Sequence, residues 1–280
     1  MKLRKQIVAI VLVVALFAAF NLSMYQLLTR RLSNNFSGAT QAQMIDVRSY
    51  LPHEEGSDLP KINASLKLTD NLPVLDGAAA LVPVYAAVID NIYPEGCVTY
   101  EGGEFSDDNY YGENFAEDSA MQYKNTVRGY QAIVDGTTDI LFCAGPSAEQ
   151  KQYAEEKGVE LVYVPIGLEG SGSQTTFESF MGDYKIGRKS PLAITGASIG
   201  FSFRYYMDGI VENDAVKMLS LNGVYPSAEN IQNRSYPIVA QFYAIYRADN
   251  DNENIPVLID WLLSEEGQTL IEETGYVRIN

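Results

Sequence analysis

The sequence predicts an α/β fold with parallel strand pairing, on three observations. A strand, a helix and a second strand follow one another within about 26 residues between Ile140 and Pro165. An apolar stripe at helical spacing follows Asp76, and a helical pattern interrupted once closes the chain.

The central unit is the clearest. Ile140-Leu141-Phe142-Cys143-Ala144 is a short apolar run, Gly145-Pro146 a turn, and Ser147 with Gln150 three positions on forms a capping box that opens a polar helix. Gly158 suits the position just past that helix, and Val159 to Pro165 reads as the second strand. A crossover of this kind joins parallel strands. Upstream, Leu81, Val84, Tyr85, Val88 and Ile89 mark one face of a helix, with Pro83 in the first turn, where a missing N–H costs little. Between Glu95 and Asp118 eight acidic residues and no basic one mix with Gly, Asn and Tyr. That composition reads as a solvated loop; a calcium site is the other reading, although no Asp-x-Asp-x-Asp-Gly spacing occurs. Near the end, Pro256 leads into Val257 to Leu263, then Glu265 to Thr274 with Gly275 as a stop. These are two helices or one bent helix, with Trp261 as a packing residue.

The N-terminus has a basic start (Lys2, Arg4, Lys5) and no polar residue from Ile7 to Phe20. Neither a small-residue cleavage site nor a cysteine follows it, so a signal anchor over residues 1–31 is favoured over cleavage, its N-terminus in the cytoplasm and the body outside. Residues 32–71 then read as a stalk of Ser, Asn, Gly, Asp and Pro, and the folded body is expected to begin near Leu72. The first 45 residues hold five of the 20 basic residues and no acid, which leaves 15 basic against 36 acidic in the rest, a net of about −21. Nucleic acid is a poor partner for such a surface. Cys97 and Cys143 either form one disulfide or are two small buried thiols.

An enzyme needs a nucleophile, a base or a metal set. The single histidine, His53, falls in the expected stalk, and the sequence contains no Walker A lysine, no G-x-G-x-x-G and no H-E-x-x-H. Paired carboxylates remain the one catalytic reading, that of an extracellular hydrolase. What stands out instead are small-residue turns placed before helical patterns: Asp76 to Ala80, Asn125-Thr126, Ser147, and Gly170 to Thr176. Such turns present backbone N–H groups at helix N-termini, and Ser171, Ser173 and Thr175 add hydroxyls, a combination that suits an oxyanion. An ordinary Ser-rich helix cap explains the last turn equally well.

Several segments resemble the phosphate ABC-transporter substrate-binding protein family: LPVLDGAAALVPVYAAV (72–88), YKNTVRGYQAIVDGTTDILFCAGPSAEQ (123–150), EGSGSQTTF (169–177), SIGFSFRYY (198–206), LNGVYPSAENIQNRSYPIVAQFYAIYR (221–247) and WLLSEEGQTLIEETGYV (261–277). The resemblance implies a type II periplasmic-binding-protein-like fold, two α/β lobes joined by hinge strands. Lobe 1 would comprise residues 72–165 and 236–280, and a reduced lobe 2 residues 166–235. It implies a monomeric binding protein without cofactor, metal or catalytic residue, which delivers inorganic phosphate or a similar oxyanion to ABC permease subunits in the cell membrane. The ligand loops it implies are Gly77-Ala78-Ala79-Ala80, Asn125-Thr126 and Ser171-Gly172-Ser173-Gln174-Thr175. This chain departs from the pattern at Ala79, where a threonine is usual, and at Gly167 to Gly170, where Glu169 lies in the neighbourhood of the usual arginine. The family's proton-accepting aspartate has no counterpart in residues 142–146, and the second lobe is short. Arg128, Arg188 and Arg204 are the candidate substitutes for the arginine. These departures define the alternative, a repurposed relative that acts as a surface sensor or interaction module and binds no small anion.

Overall fold

The computed structural model describes residues 45–105, 111–170, 203–205, 207, 209 and 217–279, together with 17, 19–21, 23 and 24 near the N-terminus. In chain order the elements are β1 (Leu75–Gly77), α1 (Val82–Ile92), β2 (Tyr100–Phe105), β3 (Tyr111–Phe115), α2 (Asn125–Asp135), β4 (Ile140–Ala144), α3 (Ala148–Glu156), β5 (Leu161–Gly170), α4 (Ala228–Gln232), β6 (Val239–Arg247), α5 (Asn254–Leu263) and α6 (Glu265–Glu273).

The fold is mixed α/β, and its sheet corrects the expectation of purely parallel pairing. Strand order is β1-β4-β6-β5. β1 and β4 pair in parallel, but β6 lies antiparallel between β4 and β5. The β4–α3–β5 crossover therefore joins two strands that run the same way without touching. Its local signals hold: Ser147 Oγ accepts from Gln150 N at 3.2 Å and Gln150 Oε1 accepts from Ser147 N at 2.9 Å, which completes the capping box. Gly158 (φ 67°) and Gly275 (φ 90°) take the left-handed conformation just past α3 and α6. The C-terminal pattern is two helices, broken at Ser264, whose hydroxyl accepts from Gly267 N at 3.3 Å and so caps α6.

All 11 residues of α1 are buried, which makes it a central helix covered on every side. One side of that cover corrects the stalk reading. From Ile45 on, the chain is a strap laid against the body: Val47, Leu59, Ala64 and Leu68 are core residues. Two polar residues of α1 hold it. Asp90 accepts from His53 N at 2.7 Å and pairs with the Lys61 ammonium. Asn91 accepts from Ile62 N at 2.8 Å and donates to the Pro60 carbonyl at 2.8 Å. The folded body begins at least 27 residues upstream of Leu72, because backbone groups of an irregular segment can be satisfied by buried side chains as well as by water.

The stretch from Glu95 to Asp118 is likewise more than a loop. β2 and β3 form an antiparallel hairpin in which Tyr100 faces Phe115, ring centroids 5.3 Å apart. Cys97 and Cys143 are free thiols, so the disulfide reading is set aside.

The described residues near the N-terminus belong to a separate unit. They are helical, with Phe17, Phe20 and Met24 exposed. Most of the segment read as an anchor lies outside the described residues, and among these no helix is long and apolar enough to cross a membrane. Most of the expected second lobe, 166–235, lies outside them as well.

Candidate oxyanion site at the sheet edge

β1, β4 and β5 all run the same way, so their C-terminal ends open on one edge of the sheet. That edge of an α/β sheet is where ligands of such folds sit. The first expected turn leaves β1 there. Gly77 packs so closely that a Cβ would meet the Tyr85 ring at 2.6 Å and the Phe142 carbonyl at 2.8 Å, so no other residue fits. Ala78 N donates to Phe142 O at 2.9 Å; Ala79 to Leu81 make a 3₁₀ turn that runs into α1, with Pro83 at its start. Ala78 and Ala79 are buried and Ala80 half-buried. The Tyr276 hydroxyl, from the C-terminal tail, donates to the Ala80 carbonyl.

The second turn meets the first. Asp76, fully buried at the end of β1, accepts from Gly77 N at 2.8 Å and from Lys124 N at 2.9 Å, and Lys124 stands just before α2. The Lys124 ammonium lies 3.7 Å from the other carboxylate oxygen, and the Thr138 hydroxyl 3.4 Å from it. Burial pushes the Asp76 carboxyl above the usual carboxylate range, opposed by Lys124 and these hydrogen bonds. Asn125 is buried with φ 63°, and its side-chain oxygen accepts from Thr126 N at 2.7 Å and lies 3.4 Å from the Thr126 hydroxyl. The amides of Ala78 and Thr126 are thus engaged within the protein, a commitment that the spacing of small residues does not reveal. Beside this turn, Gly112, Glu113, Asn114 and Phe115 of the hairpin, with Gln122 to Lys124 and Arg128, line a depression of about 160 Å³.

The third turn, Ser171, Gly172, Ser173, Gln174 and Thr175, lies outside the described residues, as does Arg188. β5 leads into it from the same sheet edge. Glu169 is fully buried there, and its charge is answered: it accepts from Arg204 N at 3.1 Å, with Arg204 Nε 3.5 Å away. The same guanidinium donates to the Gly275 carbonyl at 2.6 Å. Arg128 is exposed on α2.

Sequence reasoning places the first two turns as separate motifs but misses Asp76 as their junction. An acid at the end of an otherwise apolar strand, directly before Gly77, is the signal that could have found it. Neither cysteine is a ready nucleophile at neutral pH, since burial pushes the Cys143 thiol up to about 12 and the Cys97 thiol to about 11. Among the described residues no group of three or more His, Cys, Asp or Glu side chains could hold a metal ion.

No protein-family model matches the chain. A phosphate-binding protein, PstS 2, of Streptococcus agalactiae is 28% identical over 92 residues, covering 33% of this chain and 28% of that protein. PstS of Borreliella burgdorferi is 28% identical over 87 residues, covering 31% of each. The chain thus spans under a third of the length of the curated relatives it matches. Among solved structures, an ABC-type phosphate transport receptor from Vibrio cholerae aligns with 14% identity and a TM-score of 0.44, over 75% of this chain and 99% of that one. PstS from Borrelia burgdorferi aligns with 13% identity and a TM-score of 0.40, over 77% of this chain and all of that one. Over the matched third the chain is PstS-like, in agreement with the resemblance carried by its motifs.

Proposed function

We propose that this chain is the extracytoplasmic solute-binding component of an ABC transporter, held at the cell membrane by its N-terminal helix and closing on an inorganic oxyanion, phosphate first. The observation that carries the reading is that Asp76 joins the turn 77–80 to Lys124, the residue directly before the Asn125-Thr126 turn, at the C-terminal edge of the sheet. Helix N-termini of this kind hold anions with neutral dipoles, so recognition is compatible with a net charge of −16. The ligand would bridge two lobes through Ala79, Ala80, the Asn125 turn and Ser171 to Thr175, and bias an open-to-closed equilibrium by its better contacts in the closed form. The protein acts as a monomer, hands its ligand to permease subunits and catalyses nothing. The exposed Phe17, Phe20 and Met24 on helical backbone suit an anchor. Of the departures that define a repurposed, non-binding relative, one is answered: Glu169 is paired with Arg204 and does not stand as an uncompensated charge.

Titration calorimetry of the full chain with phosphate and with sulfate tests the reading. Binding of at least one anion at micromolar dissociation constant or tighter, about −8 kcal/mol, is expected. No heat with any oxyanion overturns it.

A further inference from the structure

We propose that Asp76 is the positioning residue of this site: its carboxylate clamps the turn after β1 to the N-terminus of α2 and thereby sets the direction of the donors that meet the anion. The inference rests on the oxyanion reading above for its ligand, but its geometric content stands apart from it.

β1 is buried over all three residues, Leu75, Asp76 and Gly77, a place where an apolar side chain is the ordinary choice. A carboxylate there is costly unless it is hydrogen-bonded and paired. Asp76 accepts from its own turn and from two distant segments, and so ties them together. One oxygen takes Gly77 N–H and Lys124 N–H, so two amides 47 positions apart point at one atom. The other faces the Thr138 hydroxyl, two residues before β4, and the Lys124 ammonium. Gly129, one turn into α2, has no Cβ to hold the helix off: a methyl there would meet Leu141 at 2.6 Å and the Asp76 carboxylate at 3.7 Å. The helix therefore sits close against Asp76, and its first turn is fixed in direction by this one acceptor. The Lys124 ammonium offsets the carboxylate's charge, which leaves an acceptor without a strong local field beside an anion site.

The role separates from plain structural support because it needs an acceptor and not a charge. Asp76→Asn keeps an oxygen that can accept both amides and drops the charge; Asp76→Ala removes the acceptor. In the full chain, phosphate affinity of Asp76→Asn is expected to stay within about threefold of the unmodified protein or to tighten, and Asp76→Ala to lose about tenfold to hundredfold. Amide hydrogen exchange is the second readout: Gly77 and Lys124 should exchange faster in Asp76→Ala and stay protected in Asp76→Asn. Should Asp76→Ala fail to fold, the Asn variant decides alone. An Asn variant that loses phosphate affinity or amide protection shows that charge, not acceptance, matters, and overturns the proposal; so does an Ala variant with unchanged exchange at both amides. If the unmodified chain binds no phosphate while the exchange pattern is as expected, the clamp stands and the oxyanion reading falls.

Discussion

His53 is the only histidine, and it sits at the joint between strap and core. Its ring is mostly buried, with Nδ1 3.6 Å from Asp90, which also holds its backbone N–H and the Lys61 ammonium. Burial lowers its pKa, opposed by the Asp90 and Glu95 charges and assisted by Lys61 and Lys67. A histidine whose folded-state pKa lies below its unfolded value of 6.5 contributes stability that is present at higher pH and lost as pH falls through the folded value. The strap is therefore expected to loosen between pH 7 and the acid side of the folded pKa, read as faster proteolysis within residues 45–68. His53→Asn keeps a side chain that tolerates φ 63° and should flatten that dependence. A variant with the same pH profile as the unmodified protein would remove His53 from the explanation.

At the scale of elements, the strap and α1 depend on each other. Asn91 spends three hydrogen bonds on Ile62, Pro60 and Ala87, two of which go to the strap. Asn91→Leu leaves buried backbone groups unpaired and is expected to cost about 2–4 kcal/mol in urea unfolding, whereas Ser147→Ala, which opens the capping box of the more exposed α3, should cost only about 1 kcal/mol. Equal losses would show that the strap contributes nothing beyond an ordinary cap. The two residues also mark what was legible in the sequence. Ser147 and Gln150 act on neighbours three positions away, so the capping box and the period of Leu81 to Ile89 could be read directly. Asn91 acts on an irregular segment 29 and 31 positions upstream, and no local pattern announces such a partner. The hairpin was hidden for a related reason: Gly, Asn and acidic residues signal a loop, and the pairing of Tyr100 with Phe115 is a tertiary choice. The site was half legible. Turns before helices can be read from small residues, but which amides are already engaged, and that Asp76 joins them, depend on contacts across 48 positions.

For the whole molecule, the decisive feature is how the chain leaves the sheet and returns. β4 ends at Ala144, level with Phe242, but β5 and β6 continue paired through Gly167–Phe242, Leu168–Gln241, Glu169–Ala240 and Gly170–Val239. At about 3.3 Å per residue this two-stranded ladder runs about 10 Å past β4. Residues 171–238 lie between its two strands in the chain, and in a two-lobed fold hinge strands would hold the position of this ladder. Its root is bent by a bulge between Pro165 and Gly167, and there Gln268 donates to the Ile166 carbonyl at 2.9 Å. Phe242 occupies the space a side chain on Gly167 would take, its ring 2.1 Å from where a Cβ would lie. Gly167→Ala must therefore displace the ring or the strand, at a cost of about 1–3 kcal/mol. Because β1 and β4 pair with each other away from this point, the loss should be local: faster amide exchange at 168–170 and 239–241, with β1 and β4 unchanged. If closure on an anion turns about this ladder, phosphate should also alter exchange at the bulge in the unmodified protein and do so less in Gly167→Ala. Exchange that rises equally throughout the sheet would mean that the ladder is an ordinary part of one rigid core, and a hinge at residues 165–167 would then have no support.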